Sequence, residues 1–310
     1  MSDPDRMAAT RFAFLTPRVL PDPQTLAGRV VVLDIAFAAE TGKTSFATVT
    51  LPFIEGLGAR LAAWVDHHDH EHHADYANDP RFVLATKAQH GGCPEMVTPA
   101  LVARTGPVDT IAVHVDLDGL YAGAKWILGG VEPYPGADED ARKIDTRQGK
   151  PGPIAERIDR ALRARFRDTN LKHRILQYLV ARTDAPVHFQ EIDAAARLVD
   201  PLLEQARRMA EHYRVDGEVA YLEVKSSVPY DKTELLLLGQ QRALVAVVRD
   251  AGSLSVAADF DSGLDFVRLF DLGGGMPTRV SIPESRRDEV LAKLAETTAK
   301  LLRAGGATRS

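Results

Sequence analysis

The chain has 310 residues, 45% of them hydrophobic and 26% charged, with a formal net charge of −5. These proportions are typical of a globular protein with room for two domains. The negative net charge argues against a protein that coats nucleic acid or an anionic membrane, and no apolar run approaches the roughly 20 residues of a membrane span. The single cysteine, Cys93, excludes a disulfide framework. We therefore expect a cytoplasmic protein without a membrane partner.

Short apolar runs alternate with helical sequence in the first half of the chain. Four runs have the composition of buried strands: 28–37, 61–66, 81–86 and 109–116. Between them lie helix candidates at 53–62, 94–104 and 119–128. The alternation predicts an α/β domain over 1–155, with a mainly parallel sheet flanked by helices.

The second half predicts a helical connector and a smaller α/β domain. A Gly/Pro-rich loop is expected at 129–153, a helical connector at 156–213 and the second domain at 214–310. Strand-like sequences in that domain are VAYLEVKS, RALVAVVRD, LSVAADFD and DFVRLFDL. TELLLLGQQRA and RDEVLAKLAETTAKLLRA have helical spacing.

Three predicted strands of the first domain end in acids, which are Asp34, Asp66, Asp116 and Asp118. Adjacent parallel strands are about 4.8 Å apart, and ligands bind beyond their carboxyl ends, so these carboxylates are expected to converge. The same edge is expected to carry imidazoles, at His67, His68 and His114.

Converging carboxylates repel one another unless a cation neutralises them. A mixed Asp/His set suits Mn²⁺, Fe²⁺, Co²⁺ or Zn²⁺ better than Ca²⁺. This number of ligands could hold two metal ions. Two-metal sites clamp a phosphoryl group during attack by water. Plainer interpretations stay open: an acid at a strand end can be a helix N-cap, and His70, His72 and His73 can form a solvated turn.

Two glycine-rich segments are candidate substrate contacts. Gly91 and Gly92 precede Cys93, which is expected to be the N-cap of a helix whose N–H groups bind an anion. In the second domain, Gly273, Gly274 and Gly275 together with Arg279 have the composition of a phosphate or carboxylate grip. The alternatives are an ordinary loop-to-helix joint and a glycine turn between strands.

These motifs resemble those of the DHH phosphoesterase superfamily. VDHHDH is similar to its Asp-His-His signature, VVVLDIAF to the strand with the bridging aspartate, and HVDLDGLYAGAKWI to its Asp-x-Asp-Gly motif. GGCPEMV resembles the turn and helix after the signature, and GGGMPTRV the glycine motif of the associated DHHA1 substrate domain. Two departures stand out. The Asp-x-Asp-Gly motif follows the signature, which indicates a circular permutation, and Met276 replaces the usual histidine of the glycine motif.

The resemblance implies metal ligands at Asp34, His67, Asp116 and Asp118, with Asp34 bridging two metals. His114 lies where the family often has a further ligand. His68 would contact the scissile phosphate, and Asp66 would orient the neighbouring imidazoles.

The family also has a fourth-motif aspartate, for which Asp145 is the candidate and Asp138 and Asp140 are rivals. The resemblance implies a phosphoesterase with two divalent ions, with Mn²⁺ expected and Mg²⁺, Co²⁺, Fe²⁺ or Zn²⁺ as alternatives. Its substrate would be a small nucleotide: a short oligonucleotide, a dinucleotide or a cyclic dinucleotide.

Other functions stay open beside this one. They are a pyrophosphate or polyphosphate hydrolase, a nucleotide- or metal-binding protein of the same fold without activity, and a His-rich metal-handling protein. Short single-stranded nucleic acid and a second copy of the chain remain open as partners.

Overall fold

The computed structural model describes residues 3–40, 44–225 and 227–306, and the chain falls into two units, Met1–Val199 and Asp200–Ser310. Unit 1 contains β1 (Arg11–Leu15), β2 (Val30–Leu33), β3 (Leu61–Asp66), the two-residue β4 (Asp69–His70), β5 (Phe82–Leu84) and β6 (Thr110–His114). All strands except β4 form one parallel sheet in the order β1-β6-β2-β3-β5.

The central strand β2 shows why this sequence gives a parallel sheet. Its four residues are buried completely. Val31 and Leu33 pack into the core on one face, and Val30 and Val32 into the core on the other. A strand covered on both faces has a continuous apolar run, which is what parallel sheets require.

Helices cover both faces of this sheet. They are α1 (Asp3–Ala9), α2 (Leu51–Leu57), α3 (Pro99–Thr105), α4 (Leu117–Ile127), α5 (Ala137–Thr146), α6 (Pro153–Ala164), α7 (Thr169–Val180) and α8 (Pro186–Arg197). Helix α4 is buried along its whole length, because the other helices of its face surround it.

Unit 2 is a smaller α/β unit. It contains α9 (Asp200–Ala210), β7 (Arg214–Asp216), β8 (Val219–Glu223), α10 (Lys232–Gln240), β9 (Val245–Asp250), β10 (Ser253–Ala258), α11 (Phe266–Phe270), β11 (Gly274–Gly275), β12 (Arg279–Pro283) and α12 (Arg287–Gly306). Its five-stranded sheet has the order β12-β10-β9-β8-β7, with β8 and β9 parallel and the other pairs antiparallel. The predicted fold class, a mainly parallel α/β domain and a smaller α/β domain, is confirmed.

Several elements differ from the sequence prediction. The expected loop 129–153 contains α5, which begins after Gly136 with φ 87°. DFVRLF forms the helix α11 instead of a strand, because the Asp265 side chain accepts a hydrogen bond from the Arg268 N–H and caps it. The helix expected at 94–104 is interrupted: a 3₁₀ turn at Cys93–Met96 precedes α3, whose N-cap is Thr98.

The helices of 156–213 divide between the units. Helix α8 belongs to unit 1, since Ile192, Ala195 and Ala196 are buried in the same core as α4, whereas α9 belongs to unit 2. No helix in the described residues is both long enough and apolar enough to cross a membrane.

Candidate metal centre

The ends of three neighbouring strands bring the candidate residues together. Strands β6, β2 and β3 are adjacent and parallel, so their carboxyl ends lie side by side. His114 ends β6, Asp34 follows β2, and Asp66 ends β3. The Asp66-His67-His68 triplet therefore lies beside the other two strand ends, at the edge where parallel sheets bind ligands.

Asp34 lies between the two groups of imidazoles. Its side chain is 1% exposed; Oδ1 is 3.2 Å from Nε2 of His67, and Oδ2 is 3.5 Å from Nδ1 of His114. Neither carboxylate oxygen has a hydrogen-bond partner. A buried carboxylate without hydrogen bonds is costly unless a cation compensates it, so Asp34 fits a metal ligand.

His67 is held in the tautomer that suits a ligand. Its Nδ1 lies 2.8 Å from the carbonyl oxygen of His90, which only accepts hydrogen bonds, so Nδ1 carries the proton. Nε2 then lies 3.0 Å from Oδ2 of Asp118 and 3.8 Å from Oδ2 of Asp145. The structure thus assigns the orientation of His67 to a backbone carbonyl, where the sequence interpretation expected Asp66.

Asp66 orients His68 instead. Its fully buried Oδ1 lies 2.8 Å from Nδ1 of His68. Burial raises the pKa of the Asp66 carboxyl, but the nearby His68 outweighs burial and lowers it. An ionised Asp66 therefore fixes the ring of His68, the residue expected to meet the phosphate.

The Asp-x-Asp-Gly motif begins α4. Asp116 is its N-cap: Oδ1 accepts a hydrogen bond of 3.1 Å from the Gly119 N–H, while Oδ2 lies 2.7 Å from Nδ1 of His114. The carboxylate therefore caps the helix and also belongs to a set of candidate ligand atoms, and its role as a metal ligand stays a prediction. Gly119 is required because a Cβ there would lie 2.6 Å from the backbone oxygen of His114.

Asp118 contacts the turn before Pro94. Its Oδ2 accepts a hydrogen bond of 2.9 Å from the Cys93 N–H, and its Oδ1 has no partner. The anion at this 3₁₀ amino terminus is thus the carboxylate of Asp118, and Cys93 is the first helical residue instead of the N-cap. Burial raises the pKa of the Cys93 thiol well above its usual value, which does not suit a nucleophile.

Gly91 and Gly92 have a role in packing, in addition to any contact with substrate. A Cβ at Gly91 would lie 2.5 Å from Cγ of Arg142, and a Cβ at Gly92 would lie 3.2 Å from the backbone nitrogen of Arg142. The two glycines therefore let this turn pack closely against α5.

Of the three candidate fourth-motif acids, Asp145 is the one at the cluster. Helix α5 carries all three. Asp138 forms an ion pair with the buried Lys125, and Asp140 accepts a hydrogen bond of 2.7 Å from the Gly152 N–H. Both rivals are thus engaged away from His67.

Lys87 is a residue of this centre that sequence reasoning missed. It follows β5 in a turn, is 1% exposed, and its Nζ lies 2.7 Å from Nε2 of His67 and pairs with the Asp145 carboxylate. Lysine is rarely fully buried, so a lysine in a polar turn is expected at the surface. No local sequence pattern indicates that Lys87 is buried.

Convergence shifts the pKa values of the cluster in opposite directions. Burial and the Asp34 carboxylate raise the pKa of Asp118 to about 7. Burial acts likewise on Asp116, but His114 outweighs it and lowers the pKa of Asp116 to about 2. Burial and Lys87 oppose protonation of His67, yet Asp118 and Asp34 raise its pKa well above the usual value. Such a set is expected to exchange protons for a cation.

Three sets of ligand atoms have all their members within 4.8 Å of one another: Asp34–His67–His68, Asp34–His114–Asp116 and His67–Asp118–Asp145. These donors are carboxylate oxygens and imidazole nitrogens, which suit Mn²⁺, Co²⁺, Fe²⁺ and Zn²⁺. Together with the unpartnered oxygens of Asp34, they fit a divalent ion.

The other histidines of the signature turn pack against aromatic rings. His72 stacks on Phe46 with ring centroids 4.1 Å apart, and His73 meets Phe37 edge-on at 5.1 Å. Burial lowers the pKa of His70 to about 4. In the described part of the chain, none of these three imidazoles belongs to a set of ligand atoms. The solvated-turn interpretation is therefore wrong for His70 and His73, which are partly buried.

The glycine segment of unit 2 contains the two-residue strand β11, and a turn at 277–278 follows it. Gly273 has φ 71° and Gly275 has φ 129°, values that favour glycine. Arg279 begins β12, and its guanidinium donates a hydrogen bond of 3.0 Å to the hydroxyl of Thr233. A role for Gly273, Gly274, Gly275 and Arg279 in substrate binding stays a proposal.

No protein-family model and no curated protein matches the chain. Among solved structures, it is similar to the pGpG-specific phosphodiesterase PggH from Vibrio cholerae, with 12% identity, a TM-score of 0.36, and 62% of this chain and 81% of that chain covered. It is also similar to the exonuclease RecJ bound to manganese, with 15% identity, a TM-score of 0.46, and 91% of this chain and 79% of that chain covered. Likenesses of this size do not fix a function, which depends on the residues of the centre.

Proposed function

We propose that this protein is a metal-dependent phosphohydrolase that acts on a small nucleotide. The observation that carries the proposal is Asp34, whose two buried carboxylate oxygens have no hydrogen bond and lie between His67 and His114. Such a carboxylate calls for a cation. When bound, a divalent ion would activate water and offset the negative charge of the phosphoryl oxygens.

The chain's own residues have distinct roles in this proposal. The ligand atoms would come from the candidate sets that Asp34, His67, His114, Asp116, Asp118 and Asp145 form. His68 contacts the phosphoryl group, in an orientation set by its 2.8 Å contact with Asp66. Because Nδ1 donates its hydrogen bond to the Asp66 carboxylate, Nε2 is the nitrogen left to face the substrate.

The nucleotide class of the substrate follows from the resemblance to DHH phosphoesterases. It covers short oligonucleotides, dinucleotides and cyclic dinucleotides, and the glycine turn and Arg279 of unit 2 are the proposed contacts for the rest of the substrate. The circularly permuted order of the motifs belongs to the same proposal. Permutation is compatible with a conserved site, because spatial neighbours need not be neighbours in sequence.

Hydrolysis of a substrate panel in Mn²⁺ tests the proposal. The panel contains bis-p-nitrophenyl phosphate, a dinucleotide, a cyclic dinucleotide, 3′,5′-bisphosphorylated adenosine and pyrophosphate. We expect turnover of at least one nucleotide, loss on chelation, and recovery with Mn²⁺. Asp116→Asn and Asp118→Asn should each reduce turnover by about 100-fold or more, because each removes a carboxylate of the metal centre.

Asp75→Asn is the matched control. Asp75 pairs with His72 at the surface and belongs to no set of ligand atoms, so its variant should keep full activity. Turnover that survives both Asp116→Asn and Asp118→Asn would contradict the site. Mn²⁺ binding without turnover across the panel would identify a binding protein, and turnover of pyrophosphate alone would identify a pyrophosphatase.

A further inference from the structure

The cluster contains a cation of its own, the ammonium of Lys87. The side chain is 1% exposed, and its Nζ lies 2.7 Å from Nε2 of His67 and pairs with the carboxylate of Asp145. Its backbone N–H donates a hydrogen bond of 3.1 Å to Oδ2 of Asp69, which holds the turn in place. Lys87 is thus fixed at both its backbone and its charged end.

Lys87 contacts members of two sets of ligand atoms and leaves the third open. His67 and Asp145 belong to the His67–Asp118–Asp145 set, and His67 belongs also to the Asp34–His67–His68 set. In the described parts of the chain, no lysine or arginine pairs with a member of the Asp34–His114–Asp116 set. The oxygens of Asp34 in that set are also the ones without hydrogen bonds.

An imidazole nitrogen limits what can be bound beside Lys87. A metal binds the neutral imidazole, and in a neutral His67 with its proton on Nδ1, Nε2 has a single lone pair. That lone pair accepts a hydrogen bond from Lys87 or binds a metal, but it does not do both. An ammonium and a divalent ion at the same nitrogen would also repel each other strongly in a buried site.

We propose that the centre binds one divalent ion, at Asp34, His114 and Asp116, an inference that rests on the proposed function. The Lys87 ammonium takes the place of a second ion at His67 and Asp145. Lys87 neutralises the Asp118 and Asp145 side of the cluster without an exchangeable metal. This replaces the expectation of two ions that came from the sequence.

Counting bound Mn²⁺ tests this inference without any measurement of activity. The purified full-length chain is dialysed to equilibrium against Mn²⁺, bound metal is measured by mass spectrometry, and electron paramagnetic resonance reports whether two ions are coupled. We expect one uncoupled Mn²⁺ per chain. Lys87→Met removes the charge but keeps the length, and should bind two Mn²⁺ with a spin-coupled spectrum.

Lys125→Met is the matched control. Lys125 is also a buried lysine, and its ion pair with Asp138 lies outside all three sets of ligand atoms. Its variant should still bind one Mn²⁺. Circular dichroism checks that each variant is folded, and Lys87→Gln is used if Lys87→Met does not fold.

The possible counts separate the inference from the proposed function. Two Mn²⁺ in the unchanged chain would overturn the inference and leave the phosphohydrolase standing. One Mn²⁺ both before and after replacement of Lys87 would overturn the exclusion of the second ion by Lys87. No bound Mn²⁺ in the unchanged chain would overturn the inference together with the proposed function.

Discussion

Among single residues, His70 shows that an imidazole of the signature turn is used for packing. Its ring lies 5.5 Å from Phe37, and its pKa is lowered to about 4 by burial. The folded chain therefore favours the neutral imidazole, whereas the unfolded chain takes up a proton near pH 6.5. The neutral ring is suited to packing, and its Nε2 lies 3.4 Å from the Ala38 carbonyl.

A pH titration of stability follows from this shift. For a base with a lowered pKa, the stabilising contribution is complete above pH 6.5 and is lost as the pH falls towards 4. His70→Phe should remove this contribution. Between pH 6.5 and 4, the unfolding free energy of the variant should therefore fall by at least about 1 kcal/mol less than that of the unchanged chain. Urea unfolding at intervals across that range measures it. Parallel curves for the two chains would contradict the buried, neutral ring.

Some residues of the centre could be predicted and others could not. Asp34, Asp66, His67 and His114 follow apolar strands, so the strand period and the parallel sheet place them at one edge. Lys87 lies at the same edge because of the conformation of a turn, which the strand pattern does not predict. The tautomer of His67 depends on a backbone carbonyl, which has no sequence signal.

Among the elements, α4 depends on a close approach to β6. Gly119→Ala would place a Cβ 2.6 Å from the His114 oxygen and 2.8 Å from the His114 nitrogen, and both of these are backbone atoms. The helix would have to shift, which is expected to cost about 1–3 kcal/mol of unfolding free energy.

The same shift would move Asp116 and Asp118, so Gly119→Ala should also weaken Mn²⁺ binding. Thermal unfolding and calorimetric titration measure the two effects. A variant of unchanged stability and unchanged Mn²⁺ affinity would show that the strand end can relax without moving the ligands.

The sequence predicted elements well where period and length agreed. Strand β3 has the predicted bounds, since LAAWVD is a continuous buried run. Helix α5 was missed because its sequence, ADEDARKIDT, has few apolar residues and lies between Gly/Pro-rich segments. Strand β1, RFAFL, was missed because five residues are too few for a period to stand out, although it pairs with β6 along its whole length.

For the molecule as a whole, the sets of ligand atoms found among the described residues all come from residues 34–145, which lie in unit 1. Ligand binding stabilises the folded state by about 2.7 kcal/mol at a concentration of 100 Kd. Mn²⁺ at that concentration should therefore slow amide exchange roughly 100-fold in the sheet of unit 1 and leave the sheet of unit 2 unchanged.

Hydrogen exchange followed by mass spectrometry makes this comparison in the intact chain. Chelated and Mn²⁺-loaded protein are compared, and the same pair for Asp34→Asn is the control, in which the difference should disappear. Equal slowing in both sheets would indicate that the two units unfold together.

The sequence of 156–213 does not indicate which unit each of its helices joins. The composition of 156–213 is helical throughout, and helical sequence alone does not tell which core a helix joins. The buried faces of α6, α7 and α8 decide it, because they complete the core around α4. Fold class was predictable because it depends on alternation of elements, which is a local property.

Asp34 has a backbone φ of 61°, in the left-handed region that non-glycine residues seldom adopt. The protein thus tolerates both backbone strain and a buried carboxylate without hydrogen bonds at a single position. Asp34→Gly would relieve both at once, so a library selected for heat resistance without metal should lose this aspartate early. Selection for turnover should retain it. The residue found at position 34 would then show whether a lineage had been selected for heat resistance or for turnover.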